Sequence, residues 1–476
     1  MTERPPLGSR SRGDLTRGTT LGNVLWFGLP LVIGMAGHAL FNLVDLFMVA
    51  QGVNRPGALG AVHLATTINM VPMVLYNGIA TASIALIARA FGAGDRSRAA
   101  WISNQGMVVC LVAGVVLGAA FYLVAEDLID LFRPTEAMRA DAIDYLEIVS
   151  LGTITMFLLM QITAAQRGVG NSVLPLFILT ASNVLNMVLD YLFIFGVGPF
   201  KPMGVAGAAW ATVVSRLVGS AWGLYLLWSR TSPLRLKLRE LLPRARILFE
   251  LHRLGIPASG QLVIRVLAVV GLTWIITDVI ADPGDRQAAL DAFGIAIRLD
   301  ILALFSALGW GTAAATLVGQ NLGAEKAHRA VAATWVAITL NVAMMGAIGG
   351  AFIAWAEPII AFFNTDPRVL DYGAHFLKIV APSYLFLAFT VVLSQALNGA
   401  GSTRAPMLID LCFVLLLQLP VAYVLASWGP LGERIWGVYL TYSLFNVLLA
   451  LVYTVWFNKG YWKSLELRST GELGRP

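Results

Sequence analysis

Two aspartates inside long apolar stretches are the residues of this chain best suited to chemistry. Asp45 and Asp190 interrupt segments that are otherwise almost free of charge, and Thr212 adds a hydroxyl within a third such segment. A charge in hydrocarbon costs at least ~2.5 to 3.5 kcal/mol on insertion scales, so each aspartate requires a compensating role. Converging carboxylate, carboxamide and hydroxyl oxygens form a hard ligand set, which suits Na⁺ or a proton shared by two close carboxylates.

The positions of these oxygens along their segments place them at one depth. Asp45 lies six residues and Asp190 seven residues before the end of its apolar segment, and Thr212 lies eight residues into its own. At 1.5 Å per helical residue, all three lie ~9 to 12 Å below the same membrane surface. Asn186 and Asn42 stand about one helical turn from Asp190 and Asp45. We therefore predict that these five residues form a cation-coupling site for H⁺ or Na⁺.

If Na⁺ is the coupling ion, the predicted metal ligands are Asp45, Asn186, Asp190 and Thr212. The alternative is that each aspartate is hydrogen-bonded separately to backbone or water. His38 shares a helical face with Asn42 and Asp45 at spacings of four and three residues. We interpret it either as a step in a proton path toward the site or as a packed histidine.

The second part of the chain carries a different set of charges in its apolar segments. Arg265 lies near the middle of one segment, Asp300 lies about eight residues into the next, and Arg298 precedes Asp300 by two residues. Residues two apart do not share a helical face. We predict an ion pair between Arg265 and Asp300 on adjacent helices, either structural or functional. Asp410 lies near a helix end and is predicted to be hydrated.

The composition indicates which elements must position these residues. Of 476 residues, 58% are hydrophobic and 13% are charged, and the mean hydropathy is +0.74. A soluble domain carries about 25% charged residues, so a water-soluble globule is excluded, and so is disorder. The apolar segments are long enough for membrane-spanning helices, which satisfy their own backbone hydrogen bonds in lipid. Twelve spans are predicted at 22–51, 60–88, 99–125, 142–166, 174–197, 204–228, 254–277, 292–318, 331–356, 373–397, 405–427 and 436–457.

The basic residues predict the orientation of these spans. The segments on the side of the N-terminus hold 22 Lys and Arg, against 7 on the other side. This asymmetry predicts that both termini and the linker 229–253 are cytoplasmic in a multi-pass protein of the inner (plasma) membrane. The net charge of +6 is then explained by the basic residues of the cytoplasmic segments, and no nucleic-acid partner is expected.

The chain repeats itself with a shift of about 231 residues. Gly92-Ala93 recurs as Gly323-Ala324, and the segment 168–170 recurs as 399–401 in the same order. The predicted organisation is an all-α membrane protein of two six-helix lobes, related by a pseudo-twofold axis along the membrane normal. The predicted parts are an N-terminal tail (1–21), an N-lobe (22–228), a basic linker (229–253), a C-lobe (254–457) and a C-terminal tail (458–476).

Parallel repeats of this kind are typical of transporters, which bind substrate near mid-membrane between the halves and rock to open either side. Glu147 and Lys378 occupy equivalent positions in the two halves. We predict that they pair across the cleft as a gate. A simpler alternative is that the duplication only builds a larger bundle.

Several short segments in this order resemble the multidrug and toxic compound extrusion family, and the match looks closest to its DinF-like branch. The resemblance covers essentially the whole chain from Gly28 to about Trp462. The segments that carry it are Gly28-Leu29-Pro30, Leu43-Val44-Asp45, Asn186-Met187-Val188-Leu189-Asp190, Gly204 through Thr212, and Val318 through Ala324.

The resemblance implies two six-helix lobes that export organic cations and drugs in exchange for Na⁺ or H⁺. It implies the same first-lobe cation site at Asp45, Asn186, Asp190 and Thr212, with no cofactor beyond the coupling ion. A single chain holds both lobes, so a monomer in the lipid bilayer is expected. Arg265 stands where another branch of the family carries an acidic residue.

Two other functions compete with this interpretation. A lipid-linked oligosaccharide flippase of the same superfamily would use a cationic cavity, which Arg265 and Arg298 favour, but twelve spans are fewer than flippases often have. An integral membrane enzyme would need a DDxxD pair, an HExxH motif or a Ser/His set, and we find none in the sequence. The residue pattern does not choose between H⁺ and Na⁺.

Overall fold

The computed structural model describes residues 13–52, 57–229, 232–428 and 434–465, and the regular secondary structure in these ranges is helical. The first eight α-helices are α1 (Thr20–Gly52), α2 (Ala58–Gly92), α3 (Arg96–Leu123), α4 (Ala125–Asp130), α5 (Glu136–Leu151), α6 (Thr153–Gly168), α7 (Val173–Phe195) and α8 (Gly204–Trp228).

The remaining helices follow a short 3₁₀ turn at Leu238–Leu241. They are α9 (Ala245–Val279), α10 (Pro283–Gly323), α11 (Ala327–Ala354), α12 (Ala356–Ala361), α13 (Pro367–Val380), α14 (Tyr384–Gly399), α15 (Arg404–Asp410), α16 (Gln418–Trp428) and α17 (Arg434–Lys459). A 3₁₀ turn (Ala381–Ser383) joins α13 to α14, a π-helical segment (Leu411–Leu417) joins α15 to α16, and a last 3₁₀ turn is Tyr461–Ser464.

Many of these helices are long and apolar enough to cross a membrane. Among the described residues ten such segments occur, and an eleventh if Met138–Leu151 and Thr153–Gly168 form one span bent by 48°. The chain is therefore a multi-pass membrane protein. The helix α8 carries Arg216 and lies outside this set, so the count of twelve spans stays a prediction.

The predicted span 142–166 is two helices in the structure, broken at Gly152. A Cβ atom at this position would collide with the side chain of Val213 on α8. Glycine therefore allows α5 and α6 to bend around α8 while both remain packed against it.

Each half of the chain packs around its own set of helices. In the first half, α2 contacts α3, α5 and α6, and α7 packs between α1 and α8. In the second half, α10 contacts α11, α13 and α14, and α14 packs against α17. The core of the second half is aromatic, with Phe376, Tyr384 and Tyr439 fully buried. Van der Waals packing of this kind holds helices together in lipid, because the hydrophobic effect does not drive helices against each other there.

The two halves approach each other closely where α2 and α10 end. A Cβ atom on Gly92 would collide with the backbone of Gln320, and one on Gly323 would collide with the backbone carbonyl of Arg89. Gly92 and Gly323 are equivalent positions of the repeat, so the contact is reciprocal. Small residues permit this approach, as is usual at helix interfaces in membranes.

The segment before α1 reinforces the same contact. The backbone N–H of Leu15 donates a hydrogen bond to Oε1 of Gln320 at 3.0 Å, and Nε2 of Gln320 donates to the carbonyl of Gly168 at 3.1 Å. Lys326 Nζ donates to the carbonyl of Thr16 at 3.1 Å. These contacts lie at the end of the molecule that the charge pattern predicts to be cytoplasmic, and further contacts between the halves follow along α1 and α10.

Candidate functional site

Three polar side chains follow one buried face of α7. Ser182, Asn186 and Asp190 are spaced four residues apart, so they lie along one side of the helix. They are 5%, 3% and 0% exposed, respectively. The structure thus places two of the predicted site residues, Asn186 and Asp190, together in the interior of a membrane span.

The register of α7 against α8 fixes the level of Thr212. Ser182 faces Gly219 near one end of the pair, and Phe193 and Ile194 face Gly207 near the other. The two helices are therefore antiparallel, and Thr212 lies close to the level of Asp190. Thr212 is half-buried. This agrees with the depth counted along the sequence.

The other two predicted residues belong to α1. This helix packs against α7, and its backbone is continuous through the positions of Asn42 and Asp45. The side chains of Asn42 and Asp45 lie outside the described residues. The meeting of Asp45 with Asp190 around one cation therefore stays a prediction.

His38 lies between the two halves. Its ring centroid is 6.3 Å from that of Phe305 on α10, and its Nδ1 is buried with no hydrogen-bond partner among the described residues. Arg216 of α8 lies within electrostatic range of the ring. The predicted proton path from His38 toward Asp45 is not tested by these contacts and stays a prediction.

In the second half, the predicted ion pair of Arg265 and Asp300 is wrong. Nε of Arg265 lies 2.7 Å from Oδ2 of Asp410, and Asp300 instead accepts a hydrogen bond from the hydroxyl of Tyr442 at 2.8 Å. Arg265 turns toward α15, against which α9 packs. Arg298 is exposed, and it does not share a face with the buried Asp300.

The expectation that Asp410 is hydrated is also wrong. Asp410 is 0% exposed, and three donors surround its carboxylate. Gln261 Nε2 lies 3.1 Å from Oδ2 and the Tyr453 hydroxyl lies 2.8 Å from Oδ1, in addition to Arg265. Asn398 extends this network by donating to Gln261 Oε1 at 3.3 Å. Gln261 and Arg265 are four residues apart, so they share one polar face of a helix. This spacing could have predicted a polar network here.

The predicted gate between Glu147 and Lys378 is replaced by a local pair. Lys378 Nζ lies 2.9 Å from Oε1 of Glu357, which the short helix α12 places beside α13. Both side chains are well exposed, so the pair contributes little to stability. The Lys378 ammonium beside Glu357 holds the pKa of that carboxyl below its usual range.

Comparisons with known proteins identify the fold and the family. Among solved structures, the fold superposes with a TM-score of 0.87 on the outward-facing conformation of a multidrug resistance MATE family transporter of the MOP superfamily. The two chains are 23% identical, and the alignment covers 95% of this chain and 98% of that one. The fold is therefore that of a multi-pass membrane transporter of the MATE type.

The chain belongs to the MatE family, whose profile matches it twice, over residues 30–192 and 262–424. The two starting positions agree with the repeat of about 231 residues found in the sequence. The chain is 26% identical over 456 residues to the probable multidrug resistance protein YpnP of Bacillus subtilis, covering 95% of this chain and 98% of that protein. It is 27% identical over 408 residues to the probable multidrug resistance protein NorM of Thermotoga maritima, covering 85% and 86%.

Proposed function

We propose that this protein is a secondary active antiporter that exports organic cations and drugs in exchange for H⁺ or Na⁺. The observation that carries the proposal is the complete burial of Asp190 on α7, on the same face as Asn186 and Ser182. A fully buried carboxylate is strongly stabilised when a proton or a metal cation neutralises its charge. Binding and release of that cation can therefore bias the conformation of the protein, which is what coupled transport requires.

Two further considerations support the substrate class. The relatives in Bacillus subtilis and Thermotoga maritima carry the names of probable multidrug resistance proteins, and we extend that class to this chain. The flippase alternative depended on free cationic groups. It is weakened because Arg265 is compensated by Asp410 at 2.7 Å.

The contacts between the halves support a rocking mechanism. The reciprocal approach of Gly92 and Gly323 closes one end of the molecule, and the Leu15 and Gly168 bonds to Gln320 strengthen the closure. Opening this end while closing the other would expose a central cavity to alternate sides of the membrane. We propose two lobes of six spans each, in the inner (plasma) membrane with cytoplasmic termini, and a monomer as the working unit.

The test is efflux from proteoliposomes in which the pH gradient and the Na⁺ gradient are imposed separately. Uptake of a fluorescent organic cation should respond to one of the two gradients. Asp190→Asn should reduce the gradient-driven rate at least tenfold, because the amide cannot exchange a proton or neutralise a cation. Asp144→Asn provides a matched control, since Asp144 is an exposed acid of the same half, and it should transport at the wild-type rate.

Two results would contradict the proposal. One is transport of the organic cation that is indifferent to both gradients in the wild type. The other is a gradient-driven rate in Asp190→Asn equal to that of Asp144→Asn, since the buried carboxylate would then have no part in coupling.

A further inference from the structure

The second half contains a buried acid that the proposed coupling site does not include. Asp300 is 5% exposed and lies on the face of α10 that also buries Ala296, Ala303 and Ala307. This face belongs to the aromatic core of the second half, in which Phe376 lies near Tyr442 with ring centroids 6.1 Å apart. The carboxyl is therefore enclosed by apolar groups on most sides.

The polar neighbours of Asp300 are neutral hydroxyls. The Tyr442 hydroxyl of α17 donates to Oδ2 at 2.8 Å, and the Tyr384 hydroxyl of α14 lies beside the same carboxyl. Oδ1 of Asp300 and the hydroxyl of Tyr384 are both buried, and neither has a hydrogen-bond partner among the described residues. Two neighbouring side chains in the interior of a membrane span thus each bury a polar atom that lacks a hydrogen bond, which is costly for both.

The elements packed against α10 also carry titratable groups, and several of those in the described part of the chain are paired with other residues or lie in a helix end. Arg265 of α9 lies within electrostatic range of Tyr442, and its guanidinium is held by Asp410. On α13, Lys378 pairs with Glu357 of α12 and His375 pairs with Asp371. His38 of α1 lies beside Phe305. Arg89 lies in the last turn of α2, and the charged or titratable residues of α11, His328 and Arg329, lie in its first turn.

We propose that Asp300, Tyr384 and Tyr442 form a second proton-binding site, loaded in this conformation. A proton on Oδ1 makes the carboxyl neutral and gives it an O–H that donates to the Tyr384 hydroxyl, while Tyr442 continues to donate to Oδ2. A single proton thus joins the two groups by a hydrogen bond and at the same time removes the negative charge from an apolar core, which a bond from Tyr384 to the ionised carboxylate would leave in place. One carboxyl and two hydroxyls are too few oxygens for a metal cation, which takes a larger cage of oxygen ligands.

The position of the site on α10 suggests what its loading controls. Asp300 lies in the same helix as Gly309 and Trp310, which contact Val32 and Gly28 of α1 in the other half. Loading stabilises the packing of α10 against α14 and α17. Loss of the proton leaves an uncompensated carboxylate there, so it favours a different packing of α10 and of the contact between the halves.

The test is difference infrared spectroscopy of the purified full-length protein in lipid, which detects the carbonyl stretch of a buried protonated carboxylic acid. The wild type should show this band, and the band should decrease on titration to alkaline pH. Asp300→Asn should remove it. Asp278→Asn should retain it, because Asp278 is an exposed acid on the neighbouring helix α9.

Tyr384→Phe keeps the test decisive if Asp300→Asn does not fold. This variant retains the acid but removes its hydrogen-bond acceptor, so the band should move to higher frequency. A band that is unchanged in Asp300→Asn, or that persists unaltered through the whole titration, would overturn the proposal. The readout is independent of the first-half site, because Asp190→Asn should reduce gradient-driven efflux at least tenfold and leave this band in place.

Discussion

The pair formed by Arg265 and Asp410 predicts a large loss of stability when its cation is removed. Asp410 is 0% exposed and the Arg265 side chain is 27% exposed, so Arg265→Gln leaves a carboxylate that has no access to water. Breaking a buried pair in this way costs roughly 3 to 5 kcal/mol. The lower end applies here, because Gln261 and Tyr453 still donate to the carboxylate. We expect the free energy of unfolding to fall by about 3 kcal/mol.

Removing the acid instead should be less damaging. Asp410→Asn leaves a guanidinium that is 27% exposed and keeps an amide oxygen beside it as an acceptor, so its cost should be about 1 to 2 kcal/mol, close to that of losing buried hydrogen bonds. The double variant should cost less than the sum of the two single variants by at least about 1 kcal/mol, which is the coupling expected for groups in direct contact.

The measurement is chemical unfolding of the purified protein in mixed detergent micelles, followed by tryptophan fluorescence for the wild type and the three variants. Arg298→Gln is the matched control, because it removes an exposed guanidinium from the neighbouring helix α10. The reasoning would be refuted if Arg265→Gln were as stable as Arg298→Gln, or if the two single losses simply added in the double variant.

Two further changes test the contact between the halves and a surface pair. Gly92→Ala should reduce transport at least tenfold, because its Cβ would collide with the Gln320 backbone, whereas Gly350→Ala, which enters open space, should transport normally in the same vesicle assay. The Arg139 guanidinium, hydrogen-bonded to Asp130, holds the pKa of that carboxyl below its usual range. The stability that this pair contributes is therefore complete above that range and is lost as pH falls through the depressed pKa, so the unfolding curves of wild type and Asp130→Asn should converge in acid.

The span positions and the repeat could be predicted from the sequence because both are properties of the chain itself. Long apolar stretches force helices in lipid whatever their neighbours are, and each predicted span coincides with a helix or a helix pair of the structure to within about ten residues. The repeat is confirmed by the two matches of the family profile. The depth of Asp190 relative to Thr212 followed from counting residues, since a helix advances by a constant rise.

The partners of the second-half charges could not be predicted in this way. Which neighbour a side chain meets depends on the rotation and tilt of its helix, and packing sets both. Asp410 illustrates the problem: it lies only six residues after the start of α15, yet α9 and α17 cover it. Lys378 illustrates another limit, because its partner Glu357 belongs to the short helix α12, which was not predicted at all.

A comparison of the two halves argues that the buried aspartates are not needed to build the fold. With the repeat shift, Asp300 corresponds to Asn69 and Asp410 to Leu179, and Asp190 corresponds to the uncharged segment 421–423. Each equivalent helix therefore forms and packs without the acid. A buried acid that the scaffold does not require, and that hydrocarbon penalises, has to be retained for another reason. The exchange of a proton or cation that we propose would supply that reason for Asp190 and Asp300, whereas Asp410 lies beside the guanidinium that neutralises it.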